Sequence, residues 1–294
     1  MWLNVGFWKN NPCSFQEACQ HLFEEVLCEA GISKGCSSNF SIVEVGCGCA
    51  ETAFFMRKSL PHKLRDYIGI TINRSQARYA KDRLQSLADD CPLMYEGRGS
   101  PLNEVFKADA ADPNKWPSHV HNKLHQLAQS RMGPKNSEAI NPQLWLLAID
   151  TLYHFKPNRH KILKYAHQEL GASIMATDII ISSSLSTWNR VLLRILFYFL
   201  YVPWTNILTR DEYISMLAAC GYEKKNIEIR DITEDCFPGY DQFLARQSRH
   251  WEHIGGSPAV FRPMRLMGKV AAWWAKSGTI RECIIIAKKS GSVP

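Results

Sequence analysis

Apolar positions along the chain follow two different rhythms. From Ser14, the segment SFQEACQHLFEEVLCEAG places apolar side chains at Phe15, Ala18, Cys19, Leu22, Phe23, Val26 and Leu27. They recur every three to four residues, which predicts an amphipathic helix. Ser14 with Glu17 three residues on has the form of a capping box, and Gly31 marks the stop. Further along, short β-branched runs take over: SIVEV (41–45), YIGIT (67–71), residues 105–108, LWLLAID (144–150) and SIMATDIII (173–181). IEIRDI (227–232) and ECIIIAKK (282–289) supply two more. Helices are predicted between the earlier strands at 52–60, 76–89 and 158–170, the last closed by Gly171. Apolar strands alternating with helices predict an α/β fold, a parallel, doubly wound sheet covered on both faces.

Two stretches break the alternation. Residues 112–142 are polar and rich in Pro, Asn and His, and are expected to form a surface insertion. Residues 182–262 carry an aromatic helix and a run of turn signals. They read in part as a cap over the carboxyl edge of the sheet, where ligands of open α/β sheets bind. Within them, WNRVLLRILFYFLYVPW (188–204) is interrupted by Arg190 and Arg194 and closed by Pro203. Its charge-free part, 195–204, has ten residues, and a spanning helix needs about 20. A substrate-cap helix or a membrane-surface helix with peripheral membrane contact both fit; a span does not. The chain reads as one domain, with an N-terminal helical lid (1–39), a core (40–181), a cap (182–262) and a last helix and strand (263–294).

Composition narrows the class. The chain has 294 residues, 46% hydrophobic and 21% charged, which excludes long disorder, collagen and coiled coil. The net charge of +7 favours anionic partners. However, no run of five Lys/Arg occurs, and without a basic stripe no nucleic acid partner is expected. MWLNVGFWKN lacks the charged and apolar regions of a secretory signal. The ten cysteines are therefore expected as reduced thiols in a cytoplasmic protein. There is no CxxC pair, and Cys47-x-Cys49 is too tight for a zinc knuckle, so no metal is expected. His119, His121 and His125 lack a nearby acid or thiol and are expected in solvent.

The sharpest feature is the strand IVEV running into Gly46-Cys47-Gly48-Cys49-Ala50. Gly-x-Gly makes a tight turn against which a ligand can lie, and the next helix offers free N–H groups and a positive dipole end. Such a turn cradles either a dinucleotide pyrophosphate or the amino-acid end of S-adenosylmethionine. A dinucleotide fingerprint needs a third glycine where Glu51 stands, and its carboxylate would repel phosphates. Glu44, two residues before the first glycine, suits a cationic ammonium instead.

Five motifs in order, EVGCGCAE (44–51), YIGITINRSQARYA (67–80), KADAADP (107–113), LAIDTLYHF (147–155) and LGASIMATDI (170–179), resemble the class I S-adenosylmethionine-dependent methyltransferases. The similarity is to the small-molecule group with sterol, cyclopropane-fatty-acid and phosphoethanolamine methyltransferases, and it covers residues 41–181. NVGFW (4–8) resembles that group's Gly-aromatic lid. The resemblance implies a Rossmann-like seven-stranded sheet and S-adenosylmethionine as cofactor. It implies that Gly46, Cys47 and Gly48 meet the methionine part and that Glu44 supports its ammonium. Thr71 and Gln76 become ribose-side candidates, Asp109 and Ala110 adenine-side candidates, and Asp150 joins the cofactor set. Ala50 stands where a third glycine is usual, and Thr71 where many relatives carry an acid.

Asp150 and His154 also match the Asp-x-x-x-His of phosphoethanolamine methyltransferases, whose histidine belongs to a catalytic dyad. An imidazole near pKa 6.5 can take a proton from a hydroxyl or ammonium; the alternative is a locally packed His154 with Tyr153 or Phe155 lining the pocket. His154 and Tyr153 are the catalytic candidates. Phe7, Trp8, Phe155, Trp204, Phe237 and Tyr240 are candidate walls for a small-molecule acceptor, the last two in a Pro-Gly turn that resembles a pocket-closing segment. The expected activity is methyl transfer to oxygen or nitrogen, rather than carbon, of a small lipophilic or aromatic metabolite. A catalytically silent fold resting on a membrane surface is the alternative.

Overall fold

The computed structural model describes residues 4–32, 39–60, 63–90, 102–129 and 142–290. Its strands are β1 (Phe40–Val45), β2 (Leu64–Thr71), β3 (Asn103–Lys107), β4 (Gln143–Ala148), β5 (Ser173–Ile181), β6 (Ile227–Asp231) and β7 (Ile280–Ala287). Its helices are α1 (Phe15–Glu29), α2 (Glu51–Ser59), α3 (Arg74–Asp90), α4 (Ser118–Gln129), α5 (His160–Gln168), α6 (Thr187–Phe199), α7 (Arg210–Cys220), α8 (Thr233–His253) and α9 (Pro258–Ser277).

The seven strands form one sheet in the order β3-β2-β1-β4-β5-β7-β6. β1 sits between parallel neighbours, Val43 opposite Ile68 on one side and Leu146 on the other. The sheet is not parallel throughout: β7 runs antiparallel to both β5 and β6. A single crossover helix returns the chain to the edge where the last strand began. From β6, however, the chain runs out along α8 and back along α9, so β7 starts where β6 ended and must run the other way.

Two apolar layers cover the sheet. On one face Leu22 and Phe23 of α1, Met56 of α2, Ala80 of α3, Phe197 of α6 and Trp274 of α9 pack on Ile42, Leu147, Met175 and Ile284. On the other, Val120 and Leu124 of α4, Ile162 of α5 and Leu217 of α7 pack on Val43, Ile68, Leu146 and Ile285. α4 corrects the expected surface insertion: Val120, Leu124 and Leu127 line one buried stripe spaced at a helical turn, and a helix that polar shows its core contact at few positions. Residues 130–141 of that stretch, like Cys36 and Cys91, lie outside the described residues; the eight described cysteines are free. Within 182–262, α7 packs in the second layer and β6 is the sheet edge.

A buried ion pair braces the second layer. Arg159, just before α5, pairs with Asp178 of β5, which also accepts from the Tyr213 hydroxyl at 2.9 Å. Arg159 N–H donates to Asn206 Oδ1 at 3.1 Å, and Asn206 Nδ2 donates to the carbonyls of Tyr153 and Phe155 at 3.1 and 2.7 Å. The turn after β4 is thereby fixed from below. Among the described residues, no helix is long and apolar enough to cross a membrane.

Candidate active site

β1 ends in the glycine turn with Gly46 at φ 70°, Gly48 at φ 53° and Ala50 at φ 57°. The N–H groups of Gly46 and Cys47 both donate to the Ile70 carbonyl, at 2.8 and 3.1 Å, tying the turn to β2. A Cβ on Gly46 would stand 2.8 Å from Thr151 Cβ and nearer still to its Oγ1, so this glycine lets the β1 and β4 turns touch. Gly48 differs: a Cβ there meets nothing within 4 Å, so this side of the turn is open. Ala50 holds the left-handed position next to α2 and offers no side chain to cap it. The N-terminal amides of α2 therefore lack a side-chain acceptor at the N-cap.

Glu44 lies under the turn, 4% exposed. Its Oε2 accepts from the Tyr67 hydroxyl at 2.5 Å and from Thr52 Oγ1. Burial raises its pKa to about 7 against the pull of those two hydroxyls. Glu51, whose charge the sequence sets against phosphates, is paired with Arg83 at 2.7 Å. That pairing weakens the electrostatic objection to a phosphate ligand; the missing third glycine remains.

At the end of β2, Thr71 donates to Gln76 Oε1 at 3.0 Å, so the two ribose-side candidates do stand together. The next residue, Ile72, is 67% exposed, a large apolar side chain held in solvent at the sheet's carboxyl edge. After β3, Asp109 is exposed and one of its oxygens accepts from Ala111 N–H at 2.9 Å, while Ala110 is buried.

The turn after β4 carries the acceptor-side candidates. Asp150 sits at φ 49° and binds in three directions. Its Oδ2 accepts from Val5 N–H at 2.8 Å, its N–H donates to Thr177 Oγ1 at 2.9 Å, and that hydroxyl donates to Asp150 Oδ1 at 3.2 Å. The third partner is the carboxyl of Glu282 on β7. Burial raises the pKa of both acids, and the Asp150 charge raises Glu282 further. Tyr153 and His154 follow in one 3-10 turn with ring centroids 4.4 Å apart. Burial, then the Asp150 charge, pushes the Tyr153 phenol well up, keeping it protonated. His154 stands at the rim, where desolvation and then Lys156 hold its pKa below the ordinary value.

The aromatic candidates divide. Tyr153, Trp204 and Tyr240 are half-buried on the α1 face of the sheet. Phe155 is buried in the opposite layer, beside α4 and α5, and is not brought to them. Phe7 and Phe237 are closed into the core, Phe237 against Trp274 at 5.8 Å. Pro238-Gly239 is not a turn but lies inside α8. There it makes a notch: Pro238 has no N–H to give the Glu234 carbonyl, and Trp8 N–H donates to the adjoining Asp235 carbonyl at 2.7 Å. A Cβ on Gly239 would collide with Trp8. The N-terminal segment is thus pinned twice, to α8 through Trp8 and to the β4 turn through Val5.

Of the polar groups around Asp150, sequence reasoning missed Thr177 and Glu282; the only mark of the latter is one acid inside the apolar strand ECIIIA. Ile72 was missed as well, although an isolated apolar residue in TINRS is unusual at a strand end. His119 and His125 are exposed, and His121 Nδ1 lies 3.2 Å from the Tyr165 hydroxyl.

The overall chain path is shared with solved structures. A cyclopropane synthase from Mycobacterium tuberculosis superposes with TM-score 0.63 at 14% identity, covering 97% of this chain and 90% of that one. A protein described as a putative sarcosine dimethylglycine methyltransferase from Galdieria sulphuraria gives 0.67 at 12% identity, over 98% and 93%. A geranyl diphosphate methyltransferase solved with S-adenosylmethionine gives 0.56 at 14%, over 95% and 93%. No protein-family model and no curated protein sequence matches the chain. The chain therefore has the fold of the class I methyltransferases, a seven-stranded mixed sheet between helical layers.

Proposed function

We propose that the protein is an S-adenosylmethionine-dependent methyltransferase that methylates oxygen or nitrogen of a small lipophilic or aromatic metabolite. One observation carries this reading: the glycine turn with its open side at Gly48 touches, through Gly46 and Thr151, the β4 turn that presents His154. A ligand on the first lies beside a base on the second.

The residues present fit the cofactor. The side of the turn left free at Gly48 gives room for the methionine part next to the α2 amides. Thr71 with Gln76 would meet the ribose, and Asp109 has an exposed carboxylate for the adenine amine. Exposed Ile72 supplies an apolar face for the ring. Glu44, buried under the turn, acts on the ammonium only through its neighbours Thr52 and Tyr67.

Bound there, S-adenosylmethionine would supply an activated methyl group for transfer to the acceptor. The chain's own work is alignment, exclusion of water and proton removal. His154, neutral around pH 7 because its pKa is lowered, takes the proton from the acceptor's hydroxyl or ammonium. Tyr153, Trp204 and Tyr240 offer half-buried aromatic faces to an apolar or cationic acceptor. The resemblance of the fold to enzymes named for lipid, amine and terpene substrates supports the class without choosing among them.

The test is a methyl-transfer screen of phenols, aliphatic alcohols and amines with labelled cofactor, run on the wild type and on His154→Ala. Transfer by the wild type, reduced about a hundredfold or more in the variant, supports the assignment. Cofactor binding without transfer to any class, or equal rates for the two proteins, refutes it.

A further inference from the structure

Helix α6 carries an apolar face that the other described residues leave uncovered. Leu193 and Phe197 are buried against the first layer. On the outer side Trp188 is 84% exposed, Tyr198 77% and Phe199 70%, with Val191, Leu192 and Ile195 about half exposed beside them. At roughly 100° per residue these six fall within one arc of about 120°, a continuous stripe rather than scattered positions. Tyr201, just past the helix, extends it.

The charges around the stripe have one sign. Arg190 and Arg194 are exposed along one edge, and Lys156 lies 5.6 Å over the Tyr201 ring. No Asp or Glu occurs from residue 179 to residue 210. Arg190 acts electrostatically on Glu212 of α7, a carboxylate that already serves the Thr209 cap. Arg194 stacks 5.0 Å over Trp204, which anchors the helix to the body of the protein.

We propose that α6 docks the protein on an anionic lipid surface, lying in the headgroup plane with its outer stripe inserted. The 13-residue helix is about 20 Å long and suits the interface rather than a crossing. Trp and Tyr rings favour the boundary between headgroups and acyl chains, and the flanking cations meet the negative lipid charge. A second copy is disfavoured: an isologous contact on this face would set Arg190 and Arg194 against their own counterparts with no acid between them. The proposal does not depend on the catalytic reading. It would, however, place Trp204, and with it the acceptor side, next to the source of a lipophilic substrate.

The experiment is flotation of the full chain with vesicles of phosphatidylcholine, or of phosphatidylcholine with about one third phosphatidylserine. The wild type floats with the anionic vesicles and is released by salt. The W188E/Y198E protein loses at least about tenfold in vesicle affinity, while its unfolding temperature and cofactor titration stay those of the wild type. If that pair fails to fold, W188A/Y198A carries the same comparison. Equal flotation of variant and wild type overturns the proposal. So does a wild type that ignores both vesicles, or a dimer in sedimentation that the variant breaks apart. A cofactor titration that fails in the wild type refutes the function and leaves the docking standing.

Discussion

Two glycines in one turn do different work, and alanine separates them. Gly46→Ala places a residue with a Cβ at φ 70°, which costs about 1–2 kcal/mol in the left-handed region. The new Cβ also stands 2.8 Å from Thr151 Cβ, with Oγ1 closer, where something must shift. Overpacking of that kind costs roughly 1–3 kcal/mol more, so the whole loss is about 2–5 kcal/mol. Gly48→Ala has the same backbone cost at φ 53° but meets nothing within 4 Å, and should lose only about 1–2 kcal/mol. Urea denaturation of both variants measures the difference. Removing the obstacle in Gly46→Ala/Thr151→Gly should recover the clash share, a coupling of about 1–3 kcal/mol in a double-mutant cycle. Cofactor binding should follow the opposite rank per unit of stability lost, because Gly48→Ala fills the open side of the turn. Equal destabilisation by the two substitutions, with no coupling to Thr151, would refute the assignment of Gly46 as the joint between the two turns.

Further outcomes follow from the buried charges. Glu44 has a pKa near 7 in the folded protein against an ordinary 4.5; its neutral form therefore supports folding below pH 4.5, and that support is lost as pH rises through 7. Relative to Glu44→Gln, the wild type should lose on the order of 3 kcal/mol between these limits, read by urea denaturation across pH. His154, held below the ordinary histidine range, should give a methyl-transfer rate that falls only as pH drops beneath about 6.5; a fall centred above that value contradicts its role as base. Arg159→Leu strands the buried Asp178 carboxylate and should cost about 3–5 kcal/mol in denaturation, more than the paired change Arg159→Met/Asp178→Val.

Much of this architecture was legible because the signals were local. Ser14 does cap α1, accepting from Glu17 N–H at 3.1 Å, and β5 spans the predicted residues 173–181. The glycine turn, Thr71 with Gln76, and the Tyr153–His154 turn are also short-range patterns. What was hidden depended on distant partners. The direction of β7 is set by the α8–α9 hairpin, and Glu282 reaches Asp150 across 132 positions of sequence, arithmetic that no spacing rule encodes. Pro238-Gly239 has turn chemistry locally, yet Trp8 packs against Gly239 and bonds the adjoining Asp235 carbonyl, so tertiary contact overrides propensity. α4 was obscured for the opposite reason: three apolar residues in a polar, His-rich stretch bury a full helix. Of the aromatic candidates, Phe7, Phe155 and Phe237 are buried in the two apolar layers, a burial set by partners distant in sequence.

The central claim is that the turn at Gly46–Ala50 holds S-adenosylmethionine. A calorimetric titration of the purified protein with S-adenosylmethionine, run beside NADH and repeated on Asp109→Ala, tests it directly. Micromolar affinity for S-adenosylmethionine alone is expected, lost in Asp109→Ala with the unfolding temperature unchanged. Binding of NADH instead, or of neither ligand by the folded wild type, would contradict it.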